Sequence, residues 1–369
     1  MKILHAAETL KGGPATIIRQ LATAQSASGG EVHLVLPNSH ADEMATVPSL
    51  TLHRFTRKRR TPVAMSRFAF CFVLAFIRVR PDVVHLHSSF AGAICRPLLV
   101  VLRGVARSKV VYSPHCWAFI ATRSDFKRKI FGLIEAALSR WTDVIVCGSA
   151  YERLTADRYE MKCDIEVVRC SVEPPLMGPA LPSLCSDGRK QFTYIGRLDM
   201  QKGFDILLAA TRQLNPHEYH FCVVGEFVRE SGELPAIEHV DYLPWQDRTG
   251  LASIFRSSTA VVMPSRWESF GLVAVEAMSY GVPVVASDCC SLPEIVKDGQ
   301  NGWLFRSGDV DDLVAVLQRI TIEEARDLSS ACYETYVLRY SSSEMTEHHA
   351  RIYAALLGAG YRGGERDVI

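Results

Sequence analysis

Ala260-Val261-Val262-Met263, the turn Pro264-Ser265-Arg266-Trp267-Glu268-Ser269-Phe270-Gly271-Leu272, then Glu276-Ala277-Met278 and Gly281-Val282-Pro283-Val284-Val285-Ala286 decide how this chain is read. An apolar β-branched run of four to six residues bounded by turn signals is a strand buried on both faces. Two such runs joined through a helical stretch form a right-handed βαβ unit. The polar turn between strand and helix lies where a parallel sheet presents its carboxyl edge to a ligand.

The same alternation extends in both directions. Phe192-Thr193-Tyr194-Ile195-Gly196 and Phe221-Cys222-Val223-Val224-Gly225 precede the stretch as further strands, with a helix over Phe204–Leu214. Ile3–Ala6, Val32–Leu36, Val83–Leu86, Val110–Tyr112 and Val144–Cys147 form an earlier series, separated by helical patterns at Pro14–Ser28, Val63–Val79, Ala91–Arg103 and Phe126–Arg140. Between the series, residues 171–190 break into Pro174-Pro175, Gly178-Pro179, Pro182 and Asp187-Gly188, a linker. The expected organisation is a domain over 1–172, a second over 173–340, and a C-terminal helix over 341–369 packing back on the first. Two Rossmann-like α/β domains are then expected to face each other across a cleft.

Composition narrows the function. With 369 residues, 48% hydrophobic and 22% charged, the chain can bury two cores and is not disordered. The net charge of +1 hides an asymmetry: residues 1–180 carry 24 Lys+Arg against 14 Asp+Glu, the remainder 17 against 26. Arg54, Arg57, Lys58, Arg59 and Arg60 precede the apolar run Phe68–Ile77, and Lys127, Arg128 and Lys129 follow in the same half. That combination fits docking on an anionic bilayer, whereas no nucleic-acid motif accompanies the charge. Eleven cysteines scatter without C-x-x-C spacing and read as small core residues of a reduced compartment. The N-terminus opens directly into a strand with no leader read. The ten-residue apolar run Phe68–Ile77 is too short to span a bilayer, so the chain is expected in the cytoplasm, peripheral to the membrane.

Four groups of residues carry chemistry. A helix beginning near Phe270 would leave the amides of Ser269, Phe270 and Gly271 pointing at a phosphate. Glu268 and Glu276, on neighbouring faces about two turns apart, could meet a sugar and a ribose. Gly196-Arg197-Leu198-Asp199-Met200-Gln201-Lys202-Gly203 places two cations at a strand-to-helix turn, where they suit a departing diphosphate. Gly12-Gly13-Pro14 after the first strand permits close backbone approach but follows neither the dinucleotide fingerprint nor a Walker loop. His115, after the strand Val110–Tyr112, sits at a sheet's carboxyl end. His87 falls at the same rim, and His85 is expected on the opposite face as a core residue. Asp309-Val310-Asp311-Asp312 invites a metal reading, but acids opening the helix Leu313–Ile320 complement its dipole, and no metal is expected.

The string Glu268-Ser269-Phe270-Gly271-Leu272, Glu276-Ala277-Met278 and Gly281-x-Pro283-Val284-Val285-Ala286, with Gly196-Arg197-x4-Lys202-Gly203, resembles the retaining GT-B glycosyltransferases of family 4. The resemblance spans Gly12-Gly13 to Gly302. It implies a hexose transferred from a UDP- or GDP-sugar to a hydroxyl of a glycan, plausibly lipid-linked, in bacterial surface polysaccharide assembly. It further implies catalytic roles for His115, Arg197, Lys202 and Glu268. The donor-binding set would be Gly12, Gly13, Ser269, Phe270, Gly271, Leu272 and Glu276, with no metal or other cofactor. A nucleotide-sugar epimerase of the same fold, or a binding protein without turnover, is an alternative. In one place the chain departs from the pattern: Val168-Arg169-Cys170-Ser171-Val172-Glu173-Pro174 replaces the family's usual Asn-x-Pro-x-Gly-Val-Asp.

Overall fold

Strand burial on both faces drives the architecture. A computed structural model describes residues 1–57, 59–122, 124–176, 188–227 and 233–358. These fall into two compact units, Met1–Cys170 with the C-terminal helix Ser342–Leu356, and Ser171–Ser341.

The first unit holds strands β1 (Lys2–Ala7), β2 (Glu31–Pro37), β3 (Leu50–Phe55), β4 (Val83–His87), β5 (Lys109–Ser113), β6 (Val144–Cys147) and β7 (Asp164–Val167). All pairs are parallel, in the order β3-β2-β1-β4-β5-β6-β7. The second unit holds β8 (Lys190–Ile195), β9 (Tyr219–Val224), β10 (Val240–Leu243), β11 (Ala260–Met263), β12 (Val284–Ser287) and β13 (Gly302–Phe305), parallel in the order β10-β9-β8-β11-β12-β13. Both are doubly wound Rossmann orders. The direction of winding reverses between β1 and β4 in one sheet and between β8 and β11 in the other, and ligands bind at such switch points.

Each unit has its own core. In the first, Phe68, Phe72 and Phe76 of the helix Pro62–Val79 pack with Leu4, Val35, Val84 and Tyr112. That helix has 18 residues and is long and apolar enough, by length and composition, to cross a membrane. The unbroken apolar run within it is still the ten residues Phe68–Ile77 between Arg67 and Arg78, and the helix, read from sequence as Val63–Val79, begins one residue earlier behind the Thr61 N-cap. Its position is nevertheless that of a core helix, with one face buried against the sheet. In the second unit Phe192, Phe204, Phe221, Leu313 and Leu317 form the centre.

The C-terminal helix Ser342–Leu356 packs against the first helix, Gly13–Ala27, and buries Met345, His349, Ile352 and Tyr353. The start of the linker is pinned within the second unit. Val172 bridges to Ser341, Glu173 pairs with Arg248 at 2.6 Å, and the Leu176 N–H donates to the Tyr280 hydroxyl at 3.0 Å. Linker residues 177–187 lie outside the described set.

Candidate active site

At the second unit's switch point, the chain leaves β8 through Gly196 and turns back into the helix Phe204–Thr211. Gly203, at φ +68°, makes that turn possible; a Cβ there would lie 1.8 Å from the Pro264 carbonyl oxygen. This closeness joins the two sequence blocks. The Lys202 ammonium forms an ion pair with Glu268, whose Oε1 also accepts from the Ser265 hydroxyl at 3.0 Å. Arg197 is held by Asp199 at 3.0 Å and by Gln201 Oε1 at 2.5 Å, while the Lys202 N–H donates to Asp199 at 3.0 Å. Arg266 is spoken for by a bidentate pair with Asp205, 2.7 Å on each arm, and is structural.

The helix after the polar turn starts later than the sequence suggested. It runs Leu272–Ser279 with Gly271 as N-cap at φ +107°. The amides at the helix start are therefore those of Leu272 and Val273 rather than those of Ser269 and Phe270, since the Ala274 N–H already donates to the Gly271 carbonyl at 3.0 Å. A β-carbon at 271 would lie 2.8 Å from Leu292, so the tight passage between turn and core requires glycine. The Phe270 ring is buried 5.8 Å from Tyr340, and its carbonyl accepts from Ser291 at 2.7 Å. Its side chain is thus a packing anchor, which leaves only backbone to face a ligand. Glu276, half-buried on the same helix, has its pKa raised to about 7, chiefly by desolvation; nearby Arg248 opposes the shift and Glu173 adds to it.

Asp309 is the N-cap of the helix Val310–Arg319 and accepts from the Asp312 N–H at 3.0 Å. Asp312 in turn accepts from the Arg306 N–H at 2.6 Å. Those carboxylates close the helix start.

In the first unit, Gly12 caps the helix Gly13–Ala27 at φ +61° with open space around it, so backbone conformation is what calls for glycine there. Beside it lies Glu8, fully buried, which pairs with Arg60 at 2.7 Å and accepts from the Ser88 hydroxyl at 2.7 Å. Arg57 donates to the Glu8 carbonyl. Two of the arginines of the basic run are thus engaged by Glu8, Arg60 while remaining exposed; Lys58 and Arg123 lie outside the described residues.

His115 adopts φ +55°, uncommon for a residue with a side chain, and its ring lies 2.9 Å, nitrogen to nitrogen, from His87. His85 does not take the other face. Residues two apart in a strand share a face, and the His85 and His87 rings are 4.1 Å apart. His5, its cross-strand partner on β1, joins them, as do His349 and Tyr353 from the C-terminal helix. Sequence reasoning missed His5, Glu8, Gln25, His349, Tyr353 and Arg248. Burial holds His115 and His5 at a pKa of about 4 and His87 well below the usual histidine range.

Two parallel α/β units, each with polar groups gathered at its switch point, define the GT-B class of glycosyltransferase fold. Comparison with known proteins supplies the family. Residues 11–174 match Glycosyltransferase Family 4, and residues 183–335 match Glycosyl transferases group 1. A Klebsiella pneumoniae protein described as an uncharacterized 41.2 kDa protein in cps region is 35% identical over 363 residues, covering 96% of this chain and 99% of that one. Sucrose-phosphate synthase from Thermosynechococcus elongatus superposes with a TM-score of 0.83 at 20% identity, over 97% and 100% of the two chains. Anabaena Alr3699/HepE, solved with UDP and glucose, gives 0.76 at 16% identity, over 96% and 100%. The chain belongs to the group 1, family 4 glycosyltransferases.

Proposed function

We propose that the chain is a retaining, metal-independent glycosyltransferase that moves a hexose from a UDP- or GDP-sugar to a hydroxyl of a glycan acceptor in surface polysaccharide assembly. The observation that carries this reading is the convergence of Arg197, Lys202, Ser265 and Glu268 beside the Gly271 helix start. Cations and the backbone of a helix start gathered at one switch point suit a diphosphate whose negative charge grows as the glycosidic bond breaks.

In the proposed step the bond from the anomeric carbon to the diphosphate oxygen breaks, and the acceptor oxygen bonds to that carbon on the same face. The acceptor's proton passes to the departing diphosphate oxygen. Arg197 and Lys202 stabilise that leaving group, Glu268 orients the sugar, and Glu276 accepts from the ribose hydroxyls; His115 is kept as a catalytic candidate of the first unit. The cps-region relative supports the polysaccharide setting.

For the acceptor, we favour a lipid-linked glycan met at the cytoplasmic face of an anionic membrane. Supporting this, the helix Pro62–Val79 exposes Val63, Phe70, Leu74 and Ile77 away from its core face. The helix Asp125–Ser139 exposes Phe126, Ile130, Leu133 and Ile134 beside Lys127, Arg128 and Lys129. Apolar side chains interleaved with cations suit the boundary between headgroups and acyl chains.

A thermal-shift screen of the full chain over nucleotide sugars, with EDTA present, tests the donor assignment. A cognate donor at 100 times its Kd should add about 2.7 kcal/mol of stability. No shift from any UDP- or GDP-sugar would reject the assignment, and a shift that needs a divalent ion would reject metal independence.

A further inference from the structure

The first unit carries a second charged site, at the edge of its sheet opposite the switch point. A cavity of about 760 Å³ lies where β5 begins and the helices Ser89–Leu102 and Asp125–Ser139 end. Arg103, Arg107, Lys109 and Arg140 line it, and Asp143 is the one carboxylate among its lining residues. β5 runs Lys109–Ser113, so at about 3.3 Å per residue the cavity is about 13 Å from the carboxyl edge where His87 and His115 gather.

Acids do not account for these cations. Asp143 Oδ2 accepts from the Val110 N–H at 2.7 Å, and Oδ1 pairs with Lys109 at 3.4 Å. Arg103, Arg107 and Arg140 are exposed and make no ion pair among the described residues. Helix ends explain part of the charge: Arg103 and Arg140 are the C-caps of the two helices, whose carbonyl ends each carry about half a negative charge. Arg107 and Lys109 cap neither helix. With both helix ends and Asp143 counted, the lining keeps about two positive charges, a self-repulsion that a bound anion would relieve. Behind them Arg96 is fully buried and matched in charge by Glu135 at 2.5 Å. Its Nη1 and the Thr142 Oγ1, both on cavity-lining residues, have no hydrogen-bond partner among the described residues. Both atoms are covered by their neighbours, so a ligand would reach them only after a side-chain shift; the exposed arginines need none. Much of the remaining wall is apolar, with Phe76, Leu99, Val100, Val110 and the half-buried Trp141. A bare phosphate has no use for that surface.

We propose that this cavity binds a phosphate-bearing lipid, with the phosphate among Arg103, Arg107 and Arg140 and the start of the apolar chain against Trp141, Leu99 and Val100. Guanidinium forks match phosphate oxygens, and the volume falls within the range of about 300–1,000 Å³ usual for small-molecule sites. The choice of a lipid rests on the reading of the first unit as membrane-facing. The helices that reach the cavity are those that expose apolar side chains: Val101 on Ser89–Leu102, Leu133 and Ile134 on Asp125–Ser139, and Ile77, next to Phe76, on Pro62–Val79. A soluble phosphate ester shares the headgroup chemistry but lacks the tail.

The test is titration of the full chain with dihexanoylphosphatidic acid below its micelle concentration, followed by tryptophan fluorescence and by calorimetry. One lipid should bind per chain, and the fluorescence change should vanish in Trp141→Phe while calorimetric binding persists. Arg103→Gln, Arg107→Gln and Arg140→Gln should each weaken binding about tenfold, the scale of one charge-assisted hydrogen bond. Lys127→Gln with Lys129→Gln, on the same layer of helices but outside the cavity, should leave affinity within about twofold at physiological salt. Parent-like denaturation midpoints should show that all these variants fold. Glycerol 3-phosphate, which keeps the phosphate and loses the chains, should bind at least about tenfold more weakly than the lipid. Equal affinity for the two would overturn the lipid assignment. Lack of saturable binding, or binding indifferent to all three arginine substitutions, would overturn the site itself. Vesicle co-sedimentation that persists while the titration stays flat would reject only the cavity and leave the membrane-facing reading standing. A saturable, arginine-dependent titration by a chain that ignores vesicles would reject that reading and uphold the cavity.

Discussion

Glu276→Gln separates the cost of a buried charge from its use. In the folded chain Glu276 has its pKa raised from 4.5 to about 7, desolvation being the first cause. A raised carboxyl pKa means that the folded state holds the proton more tightly than the unfolded state. Stability from this group is therefore full below about 4.5, falls as pH climbs to about 7, and is level above that. At about 1.4 kcal/mol per tenfold, the penalty at pH 8 has a ceiling of about 3 kcal/mol, and partial exposure lowers it. Glutamine carries no such penalty. Denaturant midpoints should show Glu276→Gln gaining about 1–3 kcal/mol over the parent at pH 8 and little at pH 4.5. Donor binding should move the other way. If the ionised carboxylate takes the ribose hydroxyls, parent affinity should drop about fivefold between pH 7 and pH 6, while the variant binds weakly and without that slope. A stability difference that does not change with pH refutes the desolvation reasoning, and parallel affinity slopes refute the ribose role.

Arg197→Ala or Lys202→Ala should lower kcat by roughly 10²-fold or more, the scale of removing one contact to transition-state charge; parent rates in both would reject the diphosphate assignment. Gly203→Ala, with its Cβ 1.8 Å from a carbonyl oxygen, should cost well over about 2 kcal/mol in chemical denaturation. Gly308→Ala, also at positive φ but with nothing within 4 Å, should cost about 1 kcal/mol; equal losses would show that crowding at 203 is relieved. On the membrane side, the chain should co-sediment with phosphatidylglycerol vesicles. Lys127→Gln with Lys129→Gln should weaken that binding by about 1 kcal/mol per charge, and Phe70→Ser with Leu133→Ser should remove whatever survives high salt. Equal partitioning onto neutral vesicles would reject the electrostatic part.

The sequence disclosed the inner strands and hid the outer ones. β3, β7, β10 and β13, which no apolar run announced, are the four edge strands of the two sheets. An edge strand is covered less completely, so its sequence mixes polar with apolar residues, as Leu50-Thr51-Leu52-His53-Arg54-Phe55 does. The polar turn after β11 and the one after β8 were legible because Glu268 with Gly271, and Arg197 with Lys202, each stand in a dense local motif; only the helix start was misplaced, since a left-handed Gly271 cap is not distinguishable in sequence from a glycine inside the first turn. The histidine array was not legible. It is assembled from two strands, a post-strand turn and two helices whose positions range from 5 to 353, and no local pattern joins them. Arg57 and Arg60, which the sequence offered only as part of a basic run suited to an anionic bilayer, also hold the buried Glu8, a partner that no local pattern announces.

The most direct measurement of the central claim is release of nucleoside diphosphate from the cognate nucleotide sugar by the purified chain in EDTA. The account predicts turnover without added metal, an α or β configuration in the product matching that of the donor, and a loss of about 10²-fold in Lys202→Ala with donor affinity largely kept. Tight donor binding with no release, release that requires a divalent ion, or a product of inverted configuration would contradict it.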